Sequence, residues 1–98
     1  MAINRKLTPI LAGRTIQTVS PGEKSVDVTF SDGSVTHVKT AKPVSADQLL
    51  NHTVKKVRQR GDVMNLDFAD GSSAEIKLAE ATSSVMLRDR DNKLEYAD

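Results

Sequence analysis

The chain has 98 residues with 14 basic and 13 acidic side chains, a net charge of +1, 38% hydrophobic residues and no cysteine. This size and composition are typical of one globular domain, here 1–98, and exclude a disordered chain, a disulfide framework and thiol chemistry. The near-neutral charge excludes a general attraction to nucleic acid, and the lack of a long apolar stretch or signal peptide predicts a cytoplasmic protein with no membrane partner.

A five-residue pattern occurs twice, because FSDGS at 30–34 returns as FADGS 38 residues later, at 68–72. Residues 14–40 align with 52–78 without a gap. Such a repeat indicates one supersecondary unit used twice. We assign unit 1 to about 8–40 and unit 2 to about 46–78, and we expect an approximate two-fold axis between them.

Each unit is predicted to begin with a short helical turn. In unit 2, Ser45 is a candidate N-cap with Gln48 as its capping-box partner, and Asn51 is a candidate left-handed residue at the end. Thr8 and Gly13 hold the analogous places in unit 1. The strand that follows has apolar residues three apart, which indicates either a strand touching both faces or a bulge.

The repeated DGS is predicted to be a hairpin turn. The residues before it alternate apolar and polar, as in a half-buried strand. A three-residue loop places Leu66 opposite Ala74 on the apolar face, whereas a two-residue loop would place Leu66 opposite Glu75. The three-residue loop needs a residue with positive φ, which glycine adopts without steric penalty. Structural turn roles are therefore assigned to Asp32, Gly33, Asp70 and Gly71.

The tail repeats the hairpin theme at about 84–97. Val85 and Leu87 share one face, residues 89–92 form the turn, and Val85 is expected opposite Tyr96. The chain then has about eight short strands separated by Gly, Asn and Asp turns. This pattern predicts an all-β fold, a small sandwich or barrel with one or two short helical turns, and periodicity leaves both architectures open.

The run VKKVRQR at 54–60 is the most basic segment. On a strand, Lys56, Arg58 and Arg60 would project from one face and Lys55 from the other, and the counterparts of the first three in unit 1 are neutral. Candidate contacts for nucleic acid or another anion are therefore Lys55, Lys56, Arg58 and Arg60, with Arg5, Lys6 and Arg14 as further candidates. The plainer interpretation is a solvated or edge-protecting face, neutralised by neighbours such as Glu23 or Asp27.

The sequence offers no catalytic or metal-binding constellation. His37 and His52 lack a metal-like spacing, and surface polar roles explain them more simply. Phe30, Phe68 and Tyr96 occupy expected core positions, which leaves no platform for stacking nucleobases. We therefore predict a non-enzymatic protein with no cofactor, no metal and no evident small-molecule substrate.

Short strands with open edges can accept a partner strand. The preferred hypothesis is a β module that binds another protein, or itself as a homodimer, through strand edges. The alternative is nucleic-acid binding through the basic strand face at 55–60. The two hypotheses differ in salt dependence, because phosphate-driven binding weakens steeply as salt rises.

Overall fold

The computed structural model describes residues 6–81 and 84–97. The strands are β1 Ile16–Pro21, β2 Ser25–Phe30, β3 Val35–Lys39, β4 Val54–Arg60, β5 Val63–Phe68, β6 Ser73–Lys77, β7 Val85–Arg88 and β8 Leu94–Ala97. A single helical turn, α1 (Thr8–Leu11), precedes β1, and a 3-10 turn at Ala46–Gln48 precedes β4. The predicted all-β fold is confirmed.

The strands form two antiparallel sheets that share one apolar core. The larger sheet has the order β1-β2-β3-β7-β8 and the smaller the order β4-β5-β6. On β2 and β5 every second residue is buried, so each sheet turns one apolar face to the other. The sheets meet through isolated bridges at Thr15–Thr53 and Thr40–Leu78 and do not close around the core. The fold is therefore a small sandwich rather than a barrel.

Units 1 and 2 have the same internal register, and the contacts between them are those expected of an approximate two-fold axis. The first strand of each has a bulge, after Ile16 and after Val54. Contacts between the units run in both directions, as a two-fold contact requires. The reciprocal pairs are Ile16 N–H to His52 C=O with Val54 N–H to Arg14 C=O, and Ala41 N–H to Lys77 C=O with Ala79 N–H to Lys39 C=O.

Both DGS segments form the predicted three-residue hairpin turn. In unit 2, Phe68 N–H donates to Ser72 C=O, and Leu66 pairs with Ala74. Gly71 has a φ of 92° and Gly33 a φ of 90°. Glycine is needed at both places because a side chain resists this conformation.

The C-terminal hairpin uses the same kind of turn, and this corrects one predicted pairing. Its loop has three residues between Asp89 and Lys93, and Asn92 takes the left-handed position with a φ of 64°. A shift of register then places Leu87 opposite Tyr96. The prediction of Val85 at that place was wrong, because it assumed a longer turn and no bulge.

The two helical turns lie at equivalent places but do not use the predicted caps. Neither Thr8 nor Ser45 caps its turn through a side-chain hydrogen bond. The Thr8 hydroxyl instead donates to the C=O of Val57 and accepts from the N–H of Val57, which covers part of the edge of β4. Gly13 and Asn51 do adopt positive φ, at 89° and 68°.

Candidate binding edge and basic face

The outer edges of β3 and β6 are equivalent, yet they differ in what covers them. On β3, His37 pairs with Met86, and Lys39 N–H donates to Ser84 C=O, so β7 extends the sheet. The equivalent strand β6 is the last of its sheet, and no described strand pairs with its outer side. Within residues 6–81 and 84–97, one unit therefore has a covered edge and the other has an open one.

Backbone hydrogen bonds between β5 and β6 alternate along the strand, and this alternation shows which backbone groups of β6 point away from β5. Leu78 N–H donates to Asp62 C=O, so the even-numbered residues direct their backbone groups to β5. The N–H and C=O groups of Ser73, Glu75 and Lys77 therefore point to the outer side. Their side chains are exposed, whereas the residues between them are buried.

A groove of about 270 Å³ lies between β6 and the linker that joins the units. Lys42 and Val44 line it from the linker, and Glu75 and Lys77 line it from the strand. Ala41, at the start of this linker, donates its N–H to Lys77 C=O and so closes one end of the row of backbone groups.

The two-fold relation identifies this groove with the place that β7 takes in unit 1. Ala41 and Ala79 make reciprocal contacts at the ends of β6 and β3. After Ala79 the chain goes on to form β7, whereas after Ala41 it forms the 3-10 turn at Ala46–Gln48. The space beside β6 is thus the space that a strand fills beside β3.

Arg14 of unit 1 contacts the C-terminal hairpin, and the equivalent residue of unit 2 is His52. Arg14 donates two hydrogen bonds to the Glu95 carboxylate, at 3.0 and 3.1 Å. These hydrogen bonds raise the pKa of Arg14. The equivalent His52 has its Nδ1 3.2 Å from Asp70, and its ring stacks on Phe68 at 4.4 Å between centroids. The hairpin therefore has its charged anchor in unit 1.

The side chains at the β6 edge carry charges of both signs. Lys77 Nζ lies 2.7 Å from the Asp62 carboxylate, and this hydrogen bond lowers the pKa of Asp62. Glu75 is exposed, and within 6–81 and 84–97 it forms no ion pair. The groove is therefore lined by the acidic Glu75 and by two basic residues, Lys42 and Lys77, of which Lys77 is paired with Asp62.

Strand β4 carries the predicted basic face, with one correction. The alternation is present, and the residues on the solvent side are Lys56, Arg58 and Arg60. Lys55 was predicted on the opposite face, but it is exposed as well. The reason is the bulge, which inserts Lys55 next to Lys56 opposite Asp67 and leaves both lysines outside the core.

Part of this positive charge is neutralised. Arg58 donates two hydrogen bonds to Asp67 on β5, at 3.1 and 3.0 Å. The predicted neighbours do not supply the carboxylate, since Asp27 instead contacts His37. Exposed basic residues of β4 without an ion pair in the described part of the chain are Lys55, Lys56 and Arg60. Of the further candidates, Lys6 is exposed and Arg5 lies outside the described residues.

Ser72, His52 and Asp70 come together at the turn of unit 2. The Ser72 hydroxyl donates to Asp70, and His52 Nδ1 lies 3.4 Å from Ser72 Oγ and 3.2 Å from Asp70. In a hydrolytic triad the two ring nitrogens serve different partners. Here both contacts involve Nδ1, so the geometry does not match a triad, and the cluster instead stabilises the turn. Arg14 contacts Asp32 and Ser34 in the turn of unit 1 in the same way.

Two further properties concern the described residues alone. They contain no group of three side chains that could ligate a metal. None of their helices is long and apolar enough to cross a membrane.

Sequence reasoning did not single out Glu75, Lys77 or the edge of β6. A signal was present, because the sequence contains two copies of the unit and one C-terminal hairpin. One hairpin covers one of two equivalent edges. The repeat thus implies an open edge, although it does not say in which unit.

Comparison of the chain with protein-family models, with curated proteins and with solved structures finds no significant match in any of the three.

Proposed function

We propose that the protein is a non-enzymatic binding module that takes up an extended segment of a partner protein at the outer edge of β6. The observation that carries this proposal is the difference between two equivalent edges. The edge of β3 is extended by β7, and β6 has the same row of backbone groups without a described strand beside it. Such edges act as templates for strand addition.

The backbone of β6 supports a short, reversible interaction. The N–H and C=O groups of Ser73 and Glu75 and the N–H of Lys77 face the edge. Each hydrogen bond contributes about 0.5–1.5 kcal/mol net, so affinity also needs apolar side chains in the groove. The exposed charges of Glu75 and Lys77 and the short strand disfavour indiscriminate aggregation, which suits a selective site.

A different protein suits this edge better than a second copy does. Pairing β6 with β6 around Glu75 would place two Glu75 carboxylates opposite each other, and like charges directly opposite are destabilising. Pairing around Ile76 would carry the second strand past Lys77, where Ala41 is already bonded. The registers centred on Glu75 and on Ile76, which use the most of the strand, therefore conflict with the contacts of the edge.

Selection from a displayed library of extended peptides, followed by NMR mapping of the binders, tests the proposal. The expected result is that the amides of Ser73, Glu75 and Lys77 shift and gain protection from hydrogen exchange. Binders that perturb another surface instead, or a library without binders, would contradict it. Sedimentation of the free protein should give a monomer.

Nucleic-acid binding is the second candidate function. It is favoured by one observation, the bulge that sets Lys55 beside Lys56 on a strand that also exposes Arg60. Arg58 is less available to phosphate because Asp67 holds it.

Titration of labelled duplex and single-stranded oligonucleotides tests this candidate. Three phosphate contacts predict a loss of affinity of roughly 40-fold between about 50 and 200 mM salt. Neutralising Lys55, Lys56 and Arg60 to glutamine should abolish this dependence, and glutamine at Lys24, Lys39 and Lys93 is the control of equal charge. Absence of binding at the lower salt would exclude the basic face as a phosphate site.

A further inference from the structure

We infer that the β6 edge selects its partner strand by charge, taking a segment in which an acidic, an apolar, a basic and a second apolar residue follow one another from N- to C-terminus. This inference rests on the proposed function, because it assigns the chemistry of the segment that the edge would bind.

The β7 strand supplies the register. It runs antiparallel to β3, with Ser84 opposite Lys39 and Val85 opposite Val38. Adding 38 to the numbers of the β3 residues in this pairing gives the equivalent residues of β6. A partner strand in the place of β7 would then have four successive residues, the partner positions, beside β6. The residues opposite them, in order, are Lys77, Ile76, Glu75 and Ala74.

The second and fourth partner positions face the core. Their counterparts on β7, Val85 and Leu87, are 2% and 0% exposed. Opposite residues of a ladder share a face, and Ile76 and Ala74 are themselves buried. Val44 of the linker adds an apolar wall to the groove. Apolar side chains therefore fit these two positions best.

The first and third partner positions lie on the solvent side, beside Lys77 and Glu75. Lys77 is already paired with Asp62, but Lys42 lines the same groove and has no ion pair within the described residues, so the first position meets a net positive charge. Opposite charges on neighbouring strands attract, and like charges directly opposite repel. An acidic residue therefore fits the first position and a basic residue the third.

Unit 1 is an internal control for this assignment. The equivalent positions of β3 are Lys39 and His37, and the β7 residues opposite them are Ser84 and Met86. Neither pair carries opposite charges. The lysine is common to both units, whereas Glu75 stands where unit 1 has His37, so the acidic side chain is the part of the pattern that is specific to the β6 edge.

Two peptides of equal composition test the inference, one with the core Glu-Val-Lys-Leu and one with Lys-Val-Glu-Leu. Binding is measured by fluorescence anisotropy at low salt, with NMR to confirm that the amides of β6 respond. The chain as it exists should bind the acidic-first peptide about tenfold more tightly. A Glu75→Lys/Lys77→Glu double variant should reverse this preference.

The outcomes separate the inference from the proposed function. Equal binding of both peptides, with the β6 amides perturbed, would overturn charge selection and leave strand addition standing. Binding of neither peptide would overturn both. If the double variant does not fold, Glu75→Gln replaces it, and this variant should lose most of the preference while still binding.

Discussion

Arg14 and His52 occupy equivalent positions in the two units, and each contacts the aspartate of its own DGS turn. Arg14 also reaches the carboxylate of Glu95 on β8 with two hydrogen bonds. A guanidinium matches a carboxylate in this forked geometry, whereas the Nδ1 of His52 is already directed at Asp70. This difference between equivalent residues favours docking of the C-terminal hairpin on unit 1, which leaves β6 at an open edge.

Replacing Arg14 by glutamine should loosen β8 without unfolding unit 2. The variant loses both hydrogen bonds to Glu95, and we expect the free energy of unfolding to fall by about 1 kcal/mol. Hydrogen exchange should accelerate most in Leu94–Ala97. His52→Gln is the matched control and should leave exchange in β8 unchanged. Equal acceleration across both sheets would contradict a local role for Arg14.

Alanine at the two turn glycines should destabilise to different extents. Both have φ near 90°, so each substitution costs about 1 kcal/mol through backbone strain. A Cβ at Gly71 would meet no atom within 4 Å, whereas one at Gly33 would lie 2.9 Å from the Cβ of Arg90. Gly33→Ala should therefore cost more than Gly71→Ala in chemical denaturation. Equal costs would show that the Arg90 turn moves aside freely.

The fold was largely predictable because its signals are local. The alternation before each DGS and the need for glycine at Gly33 and Gly71 are properties of short segments, and they gave the correct hairpin register. The pairing of β7 with β8 was predicted, but its register was wrong because the left-handed residue is Asn92 and the bulge leaves no mark on periodicity. The Thr8 hydroxyl bonds to a strand 49 residues away, which local capping rules do not consider.

The candidate site was less predictable because it depends on partners distant in sequence. The basic run was visible at once, but its neutralisation by Asp67 depends on the pairing of β4 with β5. The open edge is a consequence of sheet order, and no pattern within β6 reveals that order. Choosing between two equivalent edges required the contact of Arg14 with Glu95, 81 residues apart.

Lowering the pH should decrease the free energy of unfolding, because the turn residues Asp32 and Asp70 become protonated. Hydrogen bonds from Ser34 and Ser72 hold the pKa values of Asp32 and Asp70 below the ordinary range. Since the unfolded value is about 3.9, their contribution is complete above that pH and is lost as the pH falls towards the lower, folded pKa. Urea unfolding between about pH 6 and pH 2 should show this decline. The decline should be shallower in Asp70→Asn, and an unchanged slope would contradict the assignment.

Proline at two equivalent residues distinguishes the open edge from the covered one. The N–H of Glu75 points to the outer side of β6, whereas the N–H of His37 points to β7. Proline removes the N–H in both cases, and strands tolerate this where the donor faces solvent. Measured against alanine at the same place, Glu75→Pro should cost less than about 1 kcal/mol of unfolding free energy, and His37→Pro about 2 kcal/mol or more.

The same pair of variants tests strand addition directly. Glu75→Pro should keep the dispersed NMR spectrum of the fold and lose peptide binding, because a donor at the centre of the edge is gone. His37→Pro should release β7, which is detected as rapid hydrogen exchange in Val85–Arg88. If Glu75→Pro destabilises the protein as much as His37→Pro does, the Glu75 amide is already bonded, and β6 has no open edge to offer a partner.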